Sequence, residues 1–300
     1  MEAWILVTLG AATAQTLRFM LQKYLRGGTL STAGSTFARF VYSFPLVAVI
    51  AVSYGQLSGQ GTPVPPPGFW PYALIGGLSQ ILATMCVVAL FTRRNFAVGI
   101  TFKKTEVLLA AVVGLIVLGE TVTLAGLGAI LIGLFGVLLL SDPPRPDRGW
   151  IASLLTPSAG LGLASGLLFA MSGVGYRGAS LALGHGDAFL RASTTLAVVT
   201  LFQTLALGGW LLWRERGEIA RVLAAWRIAG LVGITSMVGS ICWFTAFTLQ
   251  TVAYVKAVGQ AELILSILAS TLVFRESISR RELAGIALLL ASILLLIGSL

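Results

Sequence analysis

The amino-acid sequence predicts an all-α membrane protein of ten transmembrane helices, built as two inverted five-helix repeats. Three observations predict it. Apolar runs of spanning length follow one another along the chain, rare residues recur at a fixed offset between the halves, and basic residues crowd the loops of one side. Hydrophobic residues make up 57% of the chain and charged residues only 10%, with a mean hydropathy of +0.93. A soluble domain carries roughly 25% charged residues. About 20 apolar residues cross the hydrocarbon core, so nearly the whole chain is expected in the bilayer, with no room for a water-soluble catalytic domain.

The first repeat, residues 1–141, holds predicted spans at 3–22, 32–54, 70–91, 97–118 and 123–140. Residues 142–156 continue a polar linker, SDPPRPDRG, that begins at Ser141. The second repeat, 157–300, holds spans at 157–177, 187–213, 227–247, 252–274 and 282–299. The segment 62–67, TPVPPP, is expected to be stiff and extended, because proline fixes φ and removes donors.

Duplication shows in the residues themselves. A shift of 156 positions places Cys86 on Cys242, Phe91-Thr92 on Phe247-Thr248, Ala97 on Ala253, Glu106 on Glu262 and Glu120 on Glu276. In the first two spans a shift of 152 places Tyr24 on Tyr176, Phe37 on Phe189 and Arg39 on Arg191. The agreement of two cysteines, two intramembrane glutamates and two intramembrane arginines points to a repeat of the transporter kind. An odd number of helices per repeat inverts the second relative to the first.

Orientation follows from the loops. Those after the odd-numbered spans hold Lys23, Arg26, Arg93, Arg94, Arg145, Arg148, Arg214, Arg216, Arg221, Arg227, Arg275, Arg280 and Arg281, while the other side has only Arg177 near a helix end. The basic side is therefore expected to be cytoplasmic and both termini extracytoplasmic. The same placement accounts for the net charge of +9 without nucleic acid as a partner. No cleavable leader is expected, since Met1-Glu2 lacks a basic start. Cys86 and Cys242 sit in apolar runs without disulfide or metal-ligand spacing and read as buried small residues. His185 is the single histidine, so no Ser/His/Asp set forms, and no Walker A motif is present. No enzyme activity and no cofactor are expected.

The chain resembles the drug/metabolite transporter superfamily, in its ten-helix EamA-type branch. The resemblance covers the whole sequence. It is carried by the five-plus-five duplication, by the arginine early in the second helix of each repeat (Phe37-Ala38-Arg39-Phe40 and Phe189-Leu190-Arg191), and by the repeat ends. Those ends read Leu118-Gly119-Glu120-Thr121 before Gly126 and Gly128, and Phe274-Arg275-Glu276-Ser277 before Gly285. Where many family members carry a proline early in the fourth helix, this chain has Thr101-Phe102-Lys103-Lys104-Thr105-Glu106. The resemblance implies that the two inverted repeats surround a central cavity, lined mainly by the first, third and fourth helices of each, with alternating access and an export direction.

Charge inside a span is costly and usually faces protein or a water-filled cavity. The fourth span carries Lys103, Lys104 and Glu106, and the ninth carries Lys256, Gln260 and Glu262. At about 100° per residue, Lys103, Glu106, Ala110 and Gly114 share a face, matched in the ninth span by Glu262, Ser266 and Ser270. Read functionally, both glutamates border a substrate site and couple protons or bind an amine, while the lysines attract a carboxylate or phosphate. Read structurally, the small residues are a packing seam and the charges neutralise one another. Lys256 could also snorkel to the bilayer surface.

Gln15, Gln80 and Gln260 could orient a polar substrate or make interhelical hydrogen bonds, and Trp243 and Tyr254 could supply aromatic walls. Arg39 and Arg191 read as anchors at helix starts, and Glu120 and Glu276 as turn or capping residues. The function expected is a secondary active transporter of a small polar metabolite, an amino acid or related compound, driven by a proton or counter-substrate. The alternatives are an anion exchanger for phosphorylated or carboxylated metabolites and a non-transporting membrane scaffold or sensor. The expected setting is a bacterial inner membrane, with lipid as the surrounding partner and a monomer or homodimer as the assembly.

Overall fold

The computed structural model describes residues 2–25, 30–91, 102–140, 157–265 and 279–298. Among them all regular structure is helical. The elements are α1 (Ala3–Leu25), α2 (Thr32–Leu57), α3 (Phe69–Phe91), α4 (Glu106–Leu118), α5 (Leu124–Leu140), α6 (Pro157–Ala182), α7 (Ala188–Arg214), α8 (Glu218–Ala224), α9 (Trp226–Leu249), α10 (Val252–Gly259) and α11 (Arg280–Gly298). Six of these are long and apolar enough to cross a membrane: α2, α3, α6, α7, α9 and α11. The apolar stretches Ala3–Leu17, Glu106–Leu118 and Leu124–Leu140 are shorter.

The chain forms two compact units, and each draws helices from both halves of the sequence. The first comprises Met1–Leu78 and Gly175–Gln250, and the second Ser79–Val174 and Thr251–Leu300.

In the first unit α1 packs on α9, and α2 packs on α7 and α9. Glycine lets these backbones close up. A Cβ on Gly239 would touch Ala14 of α1 at 3.4 Å, so small residues face each other there. The short helix α8 lies between the seventh and eighth predicted spans, where only a loop is expected from the sequence. Its Glu218 is fully buried and accepts the Ser31 N–H at 2.6 Å, beside the hydroxyl that caps α2, and it pairs with Arg221 at 2.5 Å. A carboxylate at a helix N-terminus is favourably placed against the helix dipole.

At another edge of this unit Asp187 caps α7 through the Leu190 N–H (2.8 Å) and also accepts from Tyr54 (2.7 Å) and the Gln60 amide (3.0 Å). His185 Nε2 sits 2.6 Å from the Gln60 carbonyl oxygen. These bonds tie the loop after α2 to the α6–α7 turn. Partial burial pushes the Asp187 carboxyl upward, but the bonds from Gln60, Leu190 and Tyr54 outweigh it and hold the group below its ordinary value.

In the second unit α5 packs on α11, and α10 packs on α4. The α5–α11 seam is glycine-lined. A Cβ on Gly136 would lie 2.9 Å from the Gly285 carbonyl oxygen and 3.0 Å from Leu288 Cβ. Ser292 donates across the seam to the Ala129 carbonyl at 2.6 Å. The Tyr254 hydroxyl accepts the Thr123 N–H at 3.1 Å just ahead of α5, and Gly126 leaves room for the ring. Gly119, at φ 68°, ends α4 in the left-handed region that glycine favours.

The structure differs from the sequence expectation in the fourth and ninth spans. Neither runs straight through. In the fourth, Phe102 and Lys103 are helical, Lys104 and Thr105 form a turn, and helix resumes at Glu106. In the ninth, α10 stops at Gly259, Gln260 is a turn, and helix resumes over 261–265. Residues 92–101 and 266–278 lie outside the described residues, and with them Ser266, Ser270, Glu276 and the linker at 141–156.

Candidate functional site

The two breaks fall at matching places. Lys104 and Gln260 are related by the 156-residue offset of the repeat, and each stands in the turn of its helix. Thr105 sits at φ −66°, ψ −6°, and Gln260 at φ −62°, ψ −12°, so ψ has swung well away from the helical value of about −42°. Both turns close with short-range bonds of the 3₁₀ kind: Thr105 N–H to Phe102 O (3.1 Å), Gln260 N–H to Ala257 O (3.2 Å) and Leu263 N–H to Gln260 O (3.0 Å). The Thr105 hydroxyl also donates to Phe102 O at 2.7 Å. Such a break frees backbone polar groups and re-aims the side chains on either side of it. Gly166 of α6 lets its helix approach the first break, since a Cβ there would stand 3.1 Å from the Lys103 carbonyl.

Five charged side chains meet around these turns, all within the second unit. Glu106, in the first turn of α4, is held by Lys256 Nζ at 2.5 Å and by Lys103 Nζ at 3.5 Å. Lys104 Nζ stands 4.0 Å from Glu262. The side chains are mostly removed from solvent, with 7% of Glu106, 19% of Lys256, 24% of Lys103, 11% of Lys104 and 18% of Glu262 exposed. Lys103 also lies over the Phe169 ring, 5.0 Å from its centroid. Three ammonium groups thus meet two carboxylates, one more positive than negative charge. Lys104 and Gln260 line a small cavity with Val107, Ile130, Gly133, Ala257 and Ser292, whose volume of about 10 Å³ holds roughly one water.

Among the nine residues singled out from sequence, Lys103, Lys104, Glu106, Lys256, Gln260 and Glu262 are brought together here. Lys256 is bound to Glu106 rather than extended to a surface. Gln80 is half-buried on α3 in the same unit. Gln15 and Trp243 belong to the other unit and bond to each other, Trp243 Nε1 donating to Gln15 Oε1 at 3.1 Å. Ser292, which lines the cavity from α11, carries no signal in sequence beyond a small polar residue in an apolar run. Among the described residues no cluster of His, Cys, Asp and Glu could hold a metal.

Comparison with known proteins agrees with this architecture. A solved crystal structure superposes with a TM-score of 0.72 over 98% of this chain and 95% of its own, at 15% identity, a likeness of fold alone. No curated protein matches the chain in sequence. The profile of the EamA-like transporter family matches twice, over residues 2–142 and 156–298, so the matched segments take in both broken helices and nearly the whole sequence. A chain of apolar helices in which that profile repeats is a multi-pass membrane protein, and it belongs to the EamA-like transporter family.

Proposed function

We propose that this transporter is a secondary carrier of a small, carboxylate-bearing polar metabolite, an amino acid or close relative, bound at the paired breaks of the fourth and ninth helices. The observation that carries the proposal is the coincidence of the two breaks, at repeat-equivalent positions, with a buried set of three lysines and two glutamates. Interrupted helices in corresponding places of two repeats mark substrate and ion sites in carriers. The proposed architecture is ten helices in two inverted repeats, with alternating access, both termini outside and an inner-membrane setting.

The chemistry proposed is exchange of ion-pair partners. In the cluster Lys103 and Lys256 share Glu106, while Lys104 faces Glu262. A substrate carboxylate arriving at Lys104 or Lys103 replaces a glutamate as partner, and the released glutamate takes up a proton or the substrate amine. Uptake of substrate and of the coupling species are then linked, because breaking a buried pair without replacing it is costly. The surplus lysine also favours a second reading, an exchanger of carboxylated or phosphorylated anions, in which proton coupling is absent. Mutual pairing and a water-sized cavity are equally what a scaffold would show, and family membership weighs against that reading.

Thermal unfolding of the purified protein against amino acids, organic acids, sugar phosphates, nucleosides and organic cations tests the proposal. A bound ligand raises the midpoint according to its concentration relative to Kd. Amino acids or organic acids are expected to stabilise the wild type, and Lys104→Gln to abolish the response. Stabilisation by organic cations alone would overturn the carboxylate assignment.

A further inference from the structure

Arg39 carries the inference, in the first unit and apart from the lysine–glutamate cluster. The sequence reads it as an anchor that reaches backbone carbonyls or headgroups near a helix start. Its contacts are different. Arg39 lies two turns into α2, and its Nε donates to Ser236 Oγ at 2.7 Å and its Nη2 to Ser240 Oγ at 3.5 Å. Ser236 and Ser240 are buried and stand either side of the midpoint of the 24-residue α9. The guanidinium is therefore held against the middle of a membrane-spanning helix rather than drawn toward the bilayer surface.

No carboxylate among the described residues pairs with Arg39, and its aromatic neighbours are the Phe40 ring at 5.4 Å and the Tyr176 phenol. Other hydroxyls in these helices return their protons to a carbonyl in the preceding turn, as Ser43 does to Arg39 O and Thr235 to Leu231 O. Ser236 and Ser240 instead accept from the guanidinium, and their own protons meet no acceptor among the described residues. A guanidinium has five N–H donors, and two of them are engaged among the described residues. Buried charge without a counter-charge is expensive, and unsatisfied donors add to the cost.

We propose that Arg39, Ser236 and Ser240 form a binding site for a small carboxylate. With Nε and one Nη2 hydrogen turned to the serines, the end of the fork between Nη1 and Nη2 meets no hydrogen-bond acceptor among the described residues, and that edge would take the two oxygens of a carboxylate side by side. The two serine protons lie beside it as further donors. The anion supplies the missing negative charge at the middle of the span.

The test is titration of the full chain in detergent with sodium acetate, against sodium chloride at equal ionic strength and against inorganic phosphate. The nitrogen-15 resonance of the Arg39 Nε–H is followed, with its assignment made by its loss in Arg39→Lys. This readout is local, so it succeeds or fails independently of the lysine cluster. Acetate is expected to shift the resonance saturably in the wild type. Ser236→Ala is expected to weaken that binding by about tenfold, the loss of one charge-assisted hydrogen bond. Arg39→Lys keeps the charge but lacks the fork, and is expected to lose acetate-dependent thermal stabilisation while remaining folded. An Arg39 signal that responds no more to acetate than to chloride, or a Ser236→Ala response equal to wild type, would overturn the site, and saturation by phosphate alone would overturn its assignment to carboxylates.

Discussion

Replacing Glu106 by glutamine removes the one carboxylate that both Lys256 (2.5 Å) and Lys103 (3.5 Å) approach. The amide keeps the shape but no charge, so two largely buried ammonium groups lose the Glu106 counter-charge. Breaking a buried pair in this way costs about 3–5 kcal/mol. Both lysines retain some exposure, so the lower end, ~3 kcal/mol, is expected here. Removing the Lys256 cation as well should recover part of the loss. Lys256→Met on the Glu106→Gln background is expected to be more stable than the sum of the single changes by ~2 kcal/mol, a coupling characteristic of groups in contact. An exposed pair would give less than about 1 kcal/mol. The assay is a double-mutant cycle of unfolding by sodium dodecyl sulfate in mixed micelles, followed by far-ultraviolet circular dichroism. Additive single changes, or a Glu106→Gln protein as stable as wild type, would refute the reasoning that this cluster is a desolvated, mutually dependent network.

Three further outcomes are expected. Gly136→Ala forces a methyl against the Gly285 carbonyl, so it should cost ~1–3 kcal/mol and lower the unfolding midpoint, whereas the same change at the open Gly128 should not. Asp187 is held below its ordinary value, 3.8, so its share of stability is complete above that pH and is lost as pH falls through the lower folded value. Acid-dependent loss of amide protection at Leu190, absent in Asp187→Asn, measures this. Ser292→Ala should cost ~1 kcal/mol by removing the bond to Ala129 O, read as a shift in the same micelle titration.

The helical membrane architecture was legible because spanning apolar runs and repeated rare residues are properties of the sequence itself. The charged cluster was legible for a related reason, since intramembrane Lys and Glu are few and stand at repeat-equivalent positions. The breaks at Lys104–Thr105 and Gln260 were not. Composition remains apolar on both sides of each, as in the run from Val252 to Leu265, and hydropathy does not report a change in ψ. α8 escaped notice because seven residues are too few for a periodic signal, and its docking depends on Glu218 reaching Ser31, far away in sequence. Arg39 reads as an anchor in sequence because an arginine near a helix start looks the same whether it snorkels or turns inward. Only the register of α2 against α9 brings Ser236 and Ser240, one turn apart, beneath it.

The most direct test of the central claim, that the paired breaks hold the transported solute, is counterflow in proteoliposomes loaded with one amino acid and supplied outside with a labelled one. Wild-type protein is predicted to exchange carboxylate-bearing zwitterions, and Lys104→Gln to lose the exchange while retaining its fold by circular dichroism. Undiminished exchange by Lys104→Gln, or transport of cations only, would contradict the account.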